Sequence, residues 1–160
     1  MQIKDVRDDL PSNGNYPKRP ATDITHIDIH HSATDSGGYS ILENIAEYHV
    51  RHNGWPGIGY HYAVSDIGEV FKCGYANEMR WSIGQNNSYT ISIMFIGNYS
   101  EKEPPNTQFD AAVELAEQVA NAYNVEKENI LGHNEFDGHE GNTCPGINMT
   151  EFRRKIKLFN

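Results

Sequence analysis

Ile24-Thr-His-Ile-Asp-Ile-His-His-Ser-Ala-Thr34 is the stretch from which the rest of the chain can be read. Apolar and polar residues alternate from His26 to His30, the period of a half-buried strand, and small residues end the run just after two adjacent histidines. Side chains on a strand point to alternate faces, so His30 shares a face with His26 and Asp28, whereas His31 lies with Ile27 and Ile29 on the other. The two histidines therefore cannot do the same job. A strand end holds a reactive group rigidly, and His30 is read as one leg of a metal site whose other legs lie near the C-terminus.

Working outward, the periodicity predicts elements on both sides of this strand. Upstream, residues 1–23 contain Pro11, Gly14, Pro17 and Pro20 among polar residues and read as an extended N-terminal arm without regular structure. Downstream, Ser40 with Glu43 forms the pattern of a capping box for a helix that Gly54 ends, with Ile41, Ile45, Tyr48 and His52 on its inner stripe. A hairpin follows: a strand over 60–64, a turn at Asp66-Ile-Gly68 and a return strand over 69–72. The near-continuous apolar run Thr90-Ile-Ser-Ile-Met-Phe-Ile96 suits a central strand covered on both faces. Thr107 with Asp110 opens a helix carrying Phe109, Ala112, Val113, Ala116, Val119, Ala120 and Tyr123 at helical spacing. Asn129-Ile-Leu-Gly-His133 reads as a short strand. Asn148 with Glu151 caps a last helix, striped by Met149, Phe152, Ile156 and Phe159. There is no repeat and no linker, so residues 24–160 form one domain of α/β class, a central mixed sheet with helices packed on its faces.

Composition narrows the partners. A 160-residue chain with six Phe, nine Tyr and two Trp can bury a substantial core. Its formal net charge of −9 opposes binding to nucleic acid or to an anionic membrane through a basic surface. No stretch approaches membrane-spanning length, and Met1-Gln-Ile-Lys-Asp-Val-Arg-Asp-Asp-Leu10 places charges where a signal peptide needs an apolar run. The expected partners thus exclude nucleic acid and membrane, and a monomer is expected. Cys73 and Cys144 could in principle pair, but a domain this size does not need the bridge.

Three groups favoured by Zn²⁺ stand where strands meet irregular structure: His30, His133 after Ile130-Leu-Gly132, and Cys144 in Thr143-Cys-Pro-Gly146. Two imidazoles and a thiolate leave the fourth tetrahedral position open, as catalysis rather than structure requires. Ligand chemistry alone leaves the alternative of two hydrogen-bonded histidines and a small buried cysteine.

His30-His-Ser-Ala-Thr34, Gly57-Ile-Gly-Tyr-His-Tyr62, Ile91-Ser-Ile-Met-Phe-Ile-Gly-Asn-Tyr99, Gly132-His-Asn-Glu135 and Thr143-Cys-Pro-Gly146 occur in this order along the chain. In these motifs the chain resembles the zinc amidases that include phage N-acetylmuramoyl-L-alanine amidases and the animal peptidoglycan recognition proteins, over about residues 24–158. The resemblance implies the peptidoglycan recognition protein-like amidase fold, one Zn²⁺ held by His30, His133 and Cys144, and peptidoglycan as substrate. The bond cut would be the amide between N-acetylmuramic acid and L-alanine. Tyr60 matches the family's catalytic tyrosine. Asn142 stands two positions before the cysteine, where many phage-type relatives carry a lysine, and it offers a hydrogen bond without a charge. Trp81-Ser-Ile-Gly84 lacks the histidine that relatives often carry near the tryptophan. His31, His61 and Glu135 are read as lining the substrate groove or supporting the ligands, Glu135 by orienting His133. His49 and His52 are read as surface or packing residues, and His139, with Asp137 and Glu140, as part of a solvated loop.

Two rival functions stand beside the amidase. One is a recognition module that binds peptidoglycan without cutting it, which the presence of Cys144 disfavours because non-catalytic relatives commonly lack it. The other is a thiol hydrolase using Cys144 with His133, disfavoured because Pro145-Gly146 follows the cysteine in a polar loop instead of a helix N-terminus. With no visible export signal, a wall substrate suggests a phage or prophage endolysin, or the catalytic domain of a longer wall hydrolase.

Overall fold

The computed structural model describes residues 1–159. Six strands form one mixed sheet in the order β1-β4-β3-β5-β2-β6. They are β1 (Ile3–Asp5), β2 (His26–His31), β3 (Tyr62–Val64), β4 (Val70–Lys72), β5 (Thr90–Phe95) and β6 (Ile130–Gly132). Only the hairpin pair β3 and β4 runs antiparallel; every other neighbouring pair is parallel. Three α-helices among the described residues pack on it: α1 (Tyr39–Arg51), α2 (Asn106–Tyr123) and α3 (Met149–Lys155).

The sheet is covered on both sides, as the apolar run of β5 requires, and all six residues of that strand are buried. Ile27, Ile29, Ile91, Ile93 and Phe95 face α2 and α3, where they meet Leu115, Ala116 and Phe152. Met94, Ala63 and Phe71 face the other way onto Leu42, Ile45 and Ala46 of α1. His30 is paired in register with Met94, so it points to the α1 side, while His31 is paired with Phe95. Strand parity thus decides which histidine meets which layer.

Several element ends differ from the sequence expectation. The Gly38 carbonyl accepts from Leu42 N–H at 3.1 Å, which starts α1 at Tyr39 and leaves Ser40 inside the first turn, not capping it. Likewise α2 begins from the Pro105 carbonyl, which accepts from Phe109 N–H at 3.0 Å. Thr107, no longer at the cap, donates its hydroxyl to the Asp66 carbonyl at 3.1 Å and ties α2 to the hairpin turn. The Asn148 cap does form, its side chain accepting from Glu151 N–H at 3.0 Å. Helix α3 stops at Lys155, however, because Ile156 is extended, and Phe159 is left 90% exposed instead of extending the stripe.

The N-terminal arm is more regular than expected, since Ile3–Asp5 joins the sheet edge beside β4 and Ala21–Asp23 forms a short 3-10 turn. Tyr16 and Arg19 bind it to the body. The Tyr16 hydroxyl donates to the Gly57 carbonyl at 2.6 Å, and the buried Arg19 guanidinium donates to the carbonyls of Thr90 at 2.6 Å and Asn87 at 2.9 Å.

Candidate metal centre

Three chain segments converge at one edge of β2. Strand β2 supplies His30; β6 leads through Gly132 into a 3-10 turn, His133–Glu135, that supplies His133; and the loop before α3 supplies Cys144. One ligand atom from each of His30, His133 and Cys144 lies within 4.8 Å of the others. Cys144 Sγ is 3.6 Å from His30 Nδ1, and the imidazole centroids of His30 and His133 are 4.9 Å apart. Metal bonds of 2.0–2.3 Å at a tetrahedral angle would hold nitrogen and sulfur donors about 3.5 Å apart, so the donor set and its spacing fit zinc.

Both histidines have Nε2 engaged away from the cysteine. His30 Nε2 is hydrogen-bonded to Asp28 Oδ2, and His133 Nε2 is 3.0 Å from His139 Nδ1, which leaves His30 Nδ1 to meet Cys144 Sγ and His133 Nδ1 without a hydrogen-bond partner. Burial disfavours charge on His30, but the Asp28 carboxylate outweighs it and raises the imidazole pKa to about 9. The field at His30 therefore favours positive charge. His133 is pushed the other way, to about 4, by burial and then by His30 and His139. It is neutral at pH 7, the state a metal ligand needs.

The sulfur is held by backbone. His31 N–H points at Cys144 Sγ at 3.3 Å, while the His31 ring accepts from Tyr99 N–H at 3.0 Å on the opposite side of the strand. Close packing sets the loop around Cys144: a Cβ on Gly132 would come within 2.9 Å of Pro145, and one on Gly146, at φ +74°, within 2.2 Å of the Tyr99 carbonyl oxygen. Asn142 turns its side-chain oxygen inward to accept Cys144 N–H at 2.9 Å. In this structure its first task is to shape the cysteine loop, with the amide NH₂ left as a donor.

Tyr60 lies beside the cluster, its ring 5.2 Å from His30, and burial raises its phenol pKa, so it is protonated at neutral pH. On its far side His49 packs at 5.9 Å and accepts from Gly59 N–H at 3.0 Å, in the packing role expected of it. From there a groove of about 400 Å³ runs along α1, lined by Ser32, Thr34, Asp35, Ile41, Tyr48 and His49.

Other residues named from the sequence stand further back. His61 is buried, not on a groove wall; its ring is held between Ser92 of β5 and, at 2.8 Å, the Glu78 carbonyl in the segment after β4. Glu135 makes its hydrogen bonds elsewhere than to the His133 ring. It accepts from Gly132 N–H at 2.8 Å and forms a two-point pair with Arg153 at 2.7 and 2.9 Å, so it fixes the turn that carries His133. His139, read as part of a solvated loop, instead packs on His133 with ring centroids 4.9 Å apart. Cys73 and Cys144 are both free thiols. Asp28 and Ser82 were not singled out. For Asp28 a signal was present, since a residue two positions before His30 on a strand shares its face; for Ser82, 54 positions distant, there was none.

Residues 20–147 match the family described as N-acetylmuramoyl-L-alanine amidase. Peptidoglycan-recognition protein SC1a of Drosophila melanogaster is 29% identical over 142 residues, spanning 85% of this chain and 71% of that protein. Among solved structures, N-acetylmuramoyl-L-alanine amidase LysC from Clostridium intestinale URNW superposes with a TM-score of 0.80 at 21% identity, over 98% of this chain and 99% of that one. The ectodomain complex of peptidoglycan recognition proteins LCa and LCx with tracheal cytotoxin gives 0.79 at 20% identity, over 91% and 90%. At these identities the structural likeness shows a shared fold.

Proposed function

Because this chain belongs to the N-acetylmuramoyl-L-alanine amidase family, we propose that it hydrolyses the amide between N-acetylmuramic acid and L-alanine in bacterial peptidoglycan. Zinc is the proposed cofactor, held by His30, His133 and Cys144. The observation that carries this reading is the cysteine sulfur 3.6 Å from a histidine nitrogen, beside a second, neutral histidine. A module that only recognises peptidoglycan needs no such donor set.

When bound, zinc supplies a Lewis acid that makes water nucleophilic at neutral pH and polarises the scissile carbonyl. The protein's own residues do the rest. Tyr60, protonated and packed on His30, donates its hydroxyl hydrogen bond to the carbonyl oxygen as negative charge grows there, a contact worth about 2.7–4 kcal/mol. The Asn142 amide offers a second, uncharged donor at the rim. The groove along α1 seats the glycan-peptide and orients the bond toward the cluster.

The test is a digestion. Purified protein should contain one zinc per chain, and a chelator should abolish its action on cell walls. Digestion should release new L-alanine amino termini without new reducing sugar ends. New reducing ends would mean a glycosidase, and activity that survives full metal removal would point to the Cys144 thiol. The name of the relatives favours a second reading, recognition without cleavage, and binding of walls with no new termini at saturating zinc would establish it.

A further inference from the structure

Asp28 is fully buried on β2, on the face of His30, paired in register with Ser92 of β5 and Leu131 of β6. Its Oδ2 is bonded to His30 Nε2 and accepts the Ser82 hydroxyl at 2.9 Å. Its Oδ1 has no hydrogen-bond partner. Among the described residues its ion-pair partner is His30, and no lysine or arginine is bonded to it. A carboxylate taken out of water without a permanent cation costs several kcal/mol, so this one is a liability unless positive charge reaches it another way.

We infer that Asp28 is the positioning residue of the metal centre, its carboxylate accepting the hydrogen bond of His30 Nε2–H and so holding the Nδ1 lone pair toward Cys144 and His133. The inference rests on the zinc reading above. Metal-ligating histidines regularly donate their second N–H to a carboxylate, which fixes tautomer and ring orientation and raises ligand basicity. Charge arithmetic agrees: two neutral imidazoles, one thiolate and one carboxylate carry −2, which balances Zn²⁺. Ser82, from the stretch that lacks the family's usual histidine, anchors the acid in turn.

A purely structural acid would support the metal-free fold and leave zinc affinity alone, whereas a positioning acid sets zinc affinity. The experiment measures zinc affinity by competition with a chromogenic chelator, and thermal unfolding of the metal-free protein, for the full chain and its Asp28→Val, Asp28→Asn and Ser82→Ala variants. Asp28→Val should bind zinc about 10- to 100-fold more weakly. Asp28→Asn should fall near the lower end of that range, because it keeps an acceptor but not the charge. Ser82→Ala should give a smaller loss. Wild-type affinity in Asp28→Val overturns the inference and leaves the zinc reading standing, as does a variant whose only defect is lower metal-free stability. Should the valine variant not fold, unchanged affinity in Asp28→Asn overturns it instead. A wild-type chain that takes up no zinc overturns both readings.

Discussion

His30 and His31 differ by one position and by everything else. His30 sends its side chain to the α1 side, into the cluster with Cys144, while His31 sends its ring to accept Tyr99 N–H and lends only its backbone N–H to the sulfur. Replacing each by alanine should therefore separate binding from stability. His30→Ala is expected to lose stoichiometric zinc and all wall-degrading activity. His31→Ala should keep zinc but lose about 1–3 kcal/mol of stability, because Tyr99 N–H is left buried without its acceptor. Metal analysis beside chemical denaturation reads both, and a His31 variant that loses zinc at unchanged stability would contradict the assignment. This division was legible in the sequence, because a period of two fixes faces wherever one side is packed. The work of Asn142 was not legible, since a residue chosen for its place in a motif gives no hint that its oxygen will turn back to the cysteine backbone.

At the scale of elements, the strands were easier to read than the helix starts. Apolar alternation reports burial directly, whereas the Ser-x-x-Glu pattern is short and formed no cap at Ser40, where the carbonyl of Gly38 came first. Hydropathy also hides Gln108. It is fully buried on the inner face of α2, donating to the carbonyls of Val64 at 2.9 Å and Ile96 at 3.1 Å, which also accept from Ile96 N–H at 2.9 Å and from the Tyr99 hydroxyl at 3.3 Å. Gln108→Leu should fit sterically yet cost about 0.5–1.5 kcal/mol for each hydrogen bond lost, measured by urea unfolding; a neutral result would mean that the remaining donors, Ile96 N–H and the Tyr99 hydroxyl, satisfy both carbonyls by themselves. The turn carrying His133 rests on a different bond. Burial opposes charge on Glu135, but Arg153 and the Gly132 N–H favour it more and lower its pKa. A carboxyl lowered in the folded state adds stability above its unfolded value of about 4.3, and that contribution disappears as pH falls through the folded value. Glu135→Gln should therefore lower the melting temperature at pH 7 but converge on wild type near pH 2–3. An equal deficit at both pH values would show that the carboxylate charge is not what holds the turn.

Across the whole molecule, the fold class was readable from local patterns and the convergence of His30, His133 and Cys144 from the family resemblance, while the arm's attachment was not. Strand β1 pairs with β4, Ile3 opposite Val70, and Arg19 reaches carbonyls at Asn87 and Thr90, contacts that a proline-rich polar stretch does not announce. Net charge, by contrast, is a property of the entire sequence and gives a prediction of its own. With a formal charge of −9 the protein, acting on the proposed substrate, would approach an anionic cell wall against a repulsive field. That field reaches about 30 Å at 0.01 M salt and about 8 Å at 0.15 M. Raising salt across this range should speed the attack on intact walls by roughly two- to tenfold, through association alone. Cleavage of a small uncharged muramoyl-peptide should hardly change, because no long-range repulsion has to be screened for it. If both substrates respond alike, salt is acting on the site itself; if wall attack slows with salt, a local attractive patch outweighs the net charge at the face that docks.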